Sequence, residues 1–230
     1  DDEDLAEREC DTLAQLVAFV NYQVRVLAGL RALADATGLP PTAAESTPSP
    51  AIEKPALQRG HHGPVQQAPA TLGFTIQPLD WAAWLPTVDL AQADADQLAV
   101  LDESHASARS SPYYLTLVHE PAVLRQRSRL FNAIMYGLGG LPRAERELTT
   151  LGVSLLNGCP YCASVHARLF AQLSKEPQVP QALFDEGVNT ALSPRRRGLV
   201  DLAVVLSANP PALSAGHLQA LRNNGLDNAQ

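Results

Sequence analysis

The chain has 230 residues, with 17 lysine and arginine residues against 24 aspartate and glutamate residues and a formal net charge of −7. This acidic balance argues against a nucleic-acid partner, because such surfaces need an excess of basic side chains. Hydrophobic residues make up 46% of the sequence and aromatic residues only 5%, so a sizeable core would consist of leucine, valine and alanine, which favours helices.

Cysteine usage and hydropathy predict a cytoplasmic protein. Three cysteines are too few for a secreted disulfide scaffold, and one C-x-x-C pair with a distant Cys10 fits a reducing compartment. No signal peptide is visible, and Asp201 interrupts the longest apolar run, Leu199 to Leu206, so no membrane partner is expected. Because Asp1 is not methionine, a processed or excised chain is expected.

The first 70 residues divide into a helix and a linker. Residues 1–38 predict a separate amphipathic helix that ends at Gly38, because apolar side chains recur at three- and four-residue intervals. These side chains are Leu13, Leu16, Val17, Val20, Val24, Leu27 and Leu30. Alone the helix could not bury this stripe, so it must pack on something. Residues 39–70 contain seven prolines without periodicity, which predicts an extended linker.

Residues 71–230 predict an all-α domain. Trp81 and Trp84 should anchor an irregular entry segment within residues 71–91, and no strand alternation longer than a few residues follows it. Prolines and glycines separate helical patterns. The predicted helices are 92–106, 112–119, 121–137, 142–157, 160–174, 179–187, 195–208 and 214–224.

A C-x-x-C pair and a histidine share one face of a predicted helix. The turn signal Asn157–Gly158 precedes a proline, which suits the first helical position. On a helix, Cys159, Cys162 and His166 fall within roughly 60° of one another. Free N–H groups and the dipole at a helix start, with a nearby histidine, lower a cysteine pKa and favour the thiolate nucleophile.

Glu147 lies on the apolar face of the preceding predicted helix. If the two helices fold back at the turn, a rise of ~1.5 Å per residue places Glu147 about 15 Å from the turn, His166 about 12 Å and Cys162 about 6 Å. This order predicts a proton relay from Cys162 through His166 to Glu147, with room for a bridging water. A partly buried carboxylate has a raised pKa and can act as a base near neutrality.

Two simpler interpretations of the cysteines stay open. A C-x-x-C pair can form a purely structural disulfide. It can also contribute to a zinc site, although zinc needs four ligands, usually from two elements, and no second Cys/His pair lies nearby. The sequence therefore predicts no metal and no cofactor.

The spacing Glu-x11-Cys-x2-Cys-x3-His, with an apolar helix inside it, resembles the AhpD-like alkylhydroperoxidases of the carboxymuconolactone decarboxylase family. The resemblance looks closest to the peroxidase-related members and covers about residues 72–226. It implies an AhpD-like helical fold with the C-x-x-C at a helix N-terminus. It also implies a thiol-dependent hydroperoxide reductase in which Cys162 attacks the peroxide, Cys159 resolves it, and Glu147 with His166 moves protons.

The resemblance also implies partners and alternatives. A small hydroperoxide substrate, an external dithiol reductant protein and a homo-oligomer are expected. The alternatives are a lactone decarboxylase of the same fold, which would not need the cysteines, and a non-catalytic redox-responsive module. One departure is Tyr161, where the best-known members have a histidine between the cysteines. Residues 1–38 resemble the closing helix of another AhpD-like domain, so they are either the tail of an upstream copy or a substitute for a missing final helix.

Overall fold

The computed structural model describes residues 7–37, 73–83, 85–208 and 211–227. These parts contain nine α-helices and two short 3₁₀ turns, and no strand is found within them. The helices are α1 Glu7–Thr37, α2 Ala95–Ser104, α3 Pro112–Leu117, α4 Pro121–Tyr136, α5 Arg143–Leu156, α6 Pro160–Ser174, α7 Gln178–Glu186, α8 Pro194–Ser207 and α9 Ala215–Asn223. The predicted all-α fold is confirmed.

Helix starts agree with the sequence most closely where proline sets them. Pro112, Pro121, Pro160 and Pro194 each occupy the first turn of a helix, where a missing N–H costs nothing. The predicted start at residue 92 is three residues early, because the capping box of Asp94 begins α2 at Ala95. The predicted linker over 39–70 and the packing role of Trp84 lie outside the described residues.

Helices α5 and α6 form the expected helical hairpin. Between them, Gly158 has a φ of +63°, a left-handed conformation that glycine adopts without a steric cost. The Cys159 N–H donates to the carbonyl of Ser154, which closes the turn at 3.0 Å. Leu148 and Leu151 of α5 and Phe170 of α6 are buried in the main core cluster. The hairpin therefore places the glutamate-bearing helix directly beside the cysteine-bearing helix.

Helix α8 covers the other side of α5. A Cβ atom at Gly152 would lie 3.0 Å from the Cβ atom of Ala203, so glycine lets these two helices approach closely. Leu199 and Val200 of α8 join the same core cluster as Leu148. Because α6 and α8 both pack on it, α5 is the central helix of the domain.

Helix α1 contacts the domain only along part of its length. It packs against α8 and α9, where Ala32 is buried. Gly29 and Leu33 line an apolar cavity of about 310 Å³ together with leucines of α8 and α9. The apolar stripe expected to be buried is instead 46–56% exposed at Leu13, Leu16, Val17, Val20, Val24, Leu27 and Leu30. The contact is made instead by other residues of α1, among them the buried Ala32 and Leu33 of the cavity lining.

The sequence predicts no membrane partner, which stays a prediction, but by length and composition alone α1 could cross a membrane. Residues 9–37 form a helix that is long and apolar enough to cross a bilayer, with a mean hydropathy of 1.3 over its most apolar 18-residue window. The apolar run Leu199 to Leu206, which Asp201 interrupts, lies in α8, whereas the apolar residues of α1 are separated by isolated polar ones.

The contact between α1 and the domain can be tested with two matched substitutions. Ala32→Glu places a charge in the buried contact and should lower the free energy of unfolding by about 2 kcal/mol. Ala18→Glu makes the same change at an exposed position of α1 and should alter it by less than about 0.5 kcal/mol. The free energies of unfolding of the wild type and both variants are compared by urea unfolding, at protein concentrations where all three have the same elution volume in size-exclusion chromatography. Equal stability of the two variants would show that α1 does not pack on α8 and α9.

Candidate active site

The two cysteines lie at the start of α6 and are joined as a disulfide with a Cα–Cα distance of 5.4 Å. Cys159 is the N-cap residue, and its sulfur accepts a hydrogen bond from the backbone N–H of Cys162 at 3.3 Å. In the reduced protein the same N–H groups and the positive end of the helix dipole would favour a thiolate. Both cysteine residues are partly exposed, whereas Glu147 is fully buried.

Glu147 is completely buried, and charged or polar side chains contact both of its oxygens. The Nε atom of Arg143 donates to Oε1 at 2.6 Å, and Nη2 of the same guanidinium pairs with that oxygen. Oε2 lies 2.6 Å from Nδ1 of His166. The side chains of Arg143 and His166 are 20% and 15% exposed. A buried carboxylate is stabilised only by such partners, because water cannot solvate it.

The structure shows two pairs among the four predicted site residues, Cys159 with Cys162 and Glu147 with His166. Glu147 of α5 meets His166 of α6 across the hairpin, and His166 lies one helical turn after Cys162. The contact between carboxylate and imidazole is direct, so the bridging water allowed by the sequence is not needed there. Their catalytic roles remain predictions.

Arg143 was missed by sequence reasoning. It precedes Glu147 by four residues, which is the spacing at which side chains meet on one helix face, so the sequence did contain a signal. The guanidinium carbon also lies 4.0 Å from the centre of the Tyr136 ring, at the end of α4. Burial opposes the charge of Arg143, but hydrogen bonds to Tyr136 and Glu147 outweigh it and raise the pKa of the guanidinium.

An aromatic cluster flanks the dithiol. The rings of Trp81 and Tyr161 lie 6.2 Å apart, and Trp81 also meets the edge of Tyr113 at 5.7 Å. The entry segment is held there because the N–H of Leu79 donates to the buried hydroxyl of Ser164 on α6. Burial, with a smaller contribution from nearby tyrosines, raises the pKa of Tyr161, so its phenol stays neutral at physiological pH. Tyr161 therefore has a packing role that the sequence did not indicate.

Metal-binding geometry is not found in the described ranges of the chain. No group of three or more histidine, cysteine, aspartate or glutamate side chains there could hold a metal ion. His166 uses one ring nitrogen for Glu147, and Glu147 is already contacted through both oxygens.

Comparison with known proteins agrees with this geometry. The family model of the carboxymuconolactone decarboxylase family matches residues 121–184, which include α4, α5 and α6. A crystal structure described as an alkylhydroperoxidase AhpD core, an uncharacterized peroxidase-related protein from Ralstonia eutropha JMP134, is 26% identical with a TM-score of 0.53. The match covers 62% of this chain and 75% of that chain. Residues 121–184 of the chain thus match a model of this family, and its helical domain resembles that AhpD-core structure in sequence and fold.

A second crystal structure has the same fold. An uncharacterized peroxidase-related protein from Silicibacter sp. TM1040 is 23% identical with a TM-score of 0.52, and the match covers 63% of this chain and 78% of that one. No curated protein matches the sequence significantly. The comparisons therefore show the fold and a family match over residues 121–184, whereas the reaction has to be argued from the site.

The buried carboxylate makes a prediction about stability. Glu147→Gln removes a charge whose partner Arg143 is itself mostly buried, so the free energy of unfolding should fall by roughly 3 kcal/mol. Glu145→Gln is the matched control on the same helix, because Glu145 pairs with the more exposed Arg195, and it should cost less than about 1 kcal/mol. Denaturant unfolding at pH 7 measures both. An equal loss for the two variants would contradict the importance of the buried pair.

Proposed function

We propose that this protein reduces hydroperoxides with a dithiol and is a thiol-dependent peroxidase of the peroxiredoxin-activity type. The observation that carries the proposal is the meeting of three groups at one hairpin. A disulfide-bonded cysteine pair starts α6, His166 follows by one turn, and a buried carboxylate holds that histidine. The description of the Ralstonia protein as peroxidase-related supports the same chemistry.

The reaction would proceed in two oxidation steps. Cys162 attacks the terminal peroxide oxygen as a thiolate, so that an S–O bond forms while the O–O bond breaks, and a sulfenic acid remains. The departing alkoxide takes the proton that His166 received from the thiol, which releases an alcohol, or water if the substrate is hydrogen peroxide. Cys159 then condenses with the sulfenic acid, releasing water and forming the disulfide seen here. Both electrons given to the peroxide come from the dithiol.

A reductant must restore the dithiol. We propose an external dithiol protein, which would attack the disulfide by thiol–disulfide exchange and become oxidised itself. Cys159, as the N-cap residue, is the sulfur that we expect it to attack. We further propose that the enzyme is cytoplasmic, acts without metal or cofactor, and assembles from several copies. Neither nucleic acid nor membrane is a proposed partner.

A lactone decarboxylase is the second candidate, because the matching family takes its name from that reaction. Decarboxylation would not use the cysteines and would survive their replacement by serine. A third possibility is a redox-responsive module in which the disulfide joins the cap of α6 to its first turn. In that case serine substitution would act mainly by lowering thermal stability.

Cysteine variants provide the test of function. With tert-butyl hydroperoxide and dithiothreitol, Cys162→Ser should abolish peroxide consumption, because the attacking thiolate is lost. In a separate assay without dithiothreitol, pre-reduced Cys159→Ser should consume one equivalent and leave a sulfenic acid that dimedone labels, because no resolving thiol remains. Cys10→Ser changes the one cysteine outside the site and is the control, with turnover unchanged. A single turnover retained by Cys162→Ser and lost by Cys159→Ser would reverse the two roles, and unchanged turnover in both would exclude the dithiol mechanism.

A further inference from the structure

The two oxygens of Glu147 are contacted in an unequal way. Nε and Nη2 of Arg143 both pair with Oε1, whereas Oε2 has His166 as its partner. One oxygen is therefore bound by a permanent cation, and the other faces the group that would exchange protons with the thiol. This division is the observation from which the inference starts.

We propose that Arg143 is a positioning residue, which fixes Glu147 as a permanent anion so that its second oxygen orients His166 toward the dithiol. The inference rests on the proposed function and changes one part of the relay. Glu147 does not store the proton that leaves Cys162. The proton stays on His166 until the leaving alkoxide takes it, and Glu147 keeps its charge throughout.

The geometry requires this division of roles. Protonating Glu147 would leave a neutral acid against the guanidinium of Arg143, which always carries its charge and has no acceptor atom. With the carboxylate ionised, Nδ1–H of His166 donates to Oε2 and the ring orientation is fixed. The remaining ring nitrogen is then the one free to exchange a proton with the sulfur atoms.

Tyr136 holds Arg143 in place from outside the hairpin. Its ring faces the guanidinium at 4.0 Å, and the arginine side chain is only 20% exposed. Stacking on an aromatic face suits the flat guanidinium better than the compact ammonium of lysine. An arginine at this position therefore has a fixed guanidinium orientation toward Glu147 as well as a positive charge.

Other charged groups near the hairpin have their own partners. Arg146 donates to backbone carbonyls that include those of Leu141 and Ile134. Glu145 pairs with Arg195 of α8. Burial raises the pKa of Tyr161 of α6 and of Tyr114 of α3, so these two phenols carry no charge near neutral pH. Within the described residues, Arg143 is thus the cation in contact with the pair formed by Glu147 and His166.

The test compares Arg143→Gln with Arg143→Lys. Removing the positive charge lets the carboxylate–imidazole pair bind protons more readily, so the midpoint of the turnover–pH profile should rise by about one unit or more in Arg143→Gln. Arg143→Lys keeps the charge but loses the pairing of two guanidinium nitrogens with Oε1 of Glu147. The midpoint of its turnover–pH profile should therefore stay within about half a pH unit of the wild-type value, while the maximal rate falls several-fold. Arg195→Gln is the control, since it breaks an arginine–glutamate pair on the opposite side of α5, and its profile should match the wild type.

A second measurement separates this inference from the proposed function. The titration of the His166 ring, followed by NMR in the reduced protein, needs no substrate and should shift upward in Arg143→Gln alone. If the wild type consumes no hydroperoxide, the proposed function fails, yet this titration still decides the role of Arg143. An unchanged His166 titration in folded Arg143→Gln would overturn the inference. So would a shift in Arg143→Lys equal to that in Arg143→Gln, because the preserved charge would then have no effect.

Discussion

The Glu147 carboxylate is completely shielded from solvent between two packed helices, and the arrangement of the site follows from that burial. An ionised group in such surroundings loses several kcal/mol of hydration and is tolerated only with charged or hydrogen-bonding partners. Arg143 from the same helix and His166 from the neighbouring helix supply them. The cost of burying the carboxylate therefore accounts for the positions of two further side chains.

The hairpin turn links this buried cluster to the sulfur chemistry. Gly158 lets the chain reverse tightly, so that Cys159 caps α6 while α5 returns its glutamate to the level of His166. The cysteines lie at the partly exposed end of α6, and the carboxylate lies inside. Both cysteine residues are partly exposed, whereas the group that orients the histidine is protected from water. The group that orients His166 and the sulfur atoms that would react therefore lie in different parts of the hairpin, one buried and the other partly exposed.

Much of this arrangement could be predicted from the sequence, because it depends on local rules. Prolines in first turns marked helix starts, and the rise per residue placed Glu147 beside His166 across the hairpin. Contacts between distant segments could not be predicted in the same way. The tilted contact between the rings of Trp81 and Tyr161 depends on how the entry segment lies against α6. Arg143 had the right spacing, but helix spacing alone does not distinguish a buried ion pair from a solvated side chain.

The central claim is that the two cysteines act together as a peroxide-reducing dithiol. Mass spectrometry of the reduced protein after one equivalent of tert-butyl hydroperoxide tests it most directly. The account predicts a loss of about 2 Da with a peptide crosslink between Cys159 and Cys162, because the sulfenic acid condenses with the resolving thiol. Unreacted thiols, or a stable gain of about 16 Da at one cysteine without a crosslink, would contradict it.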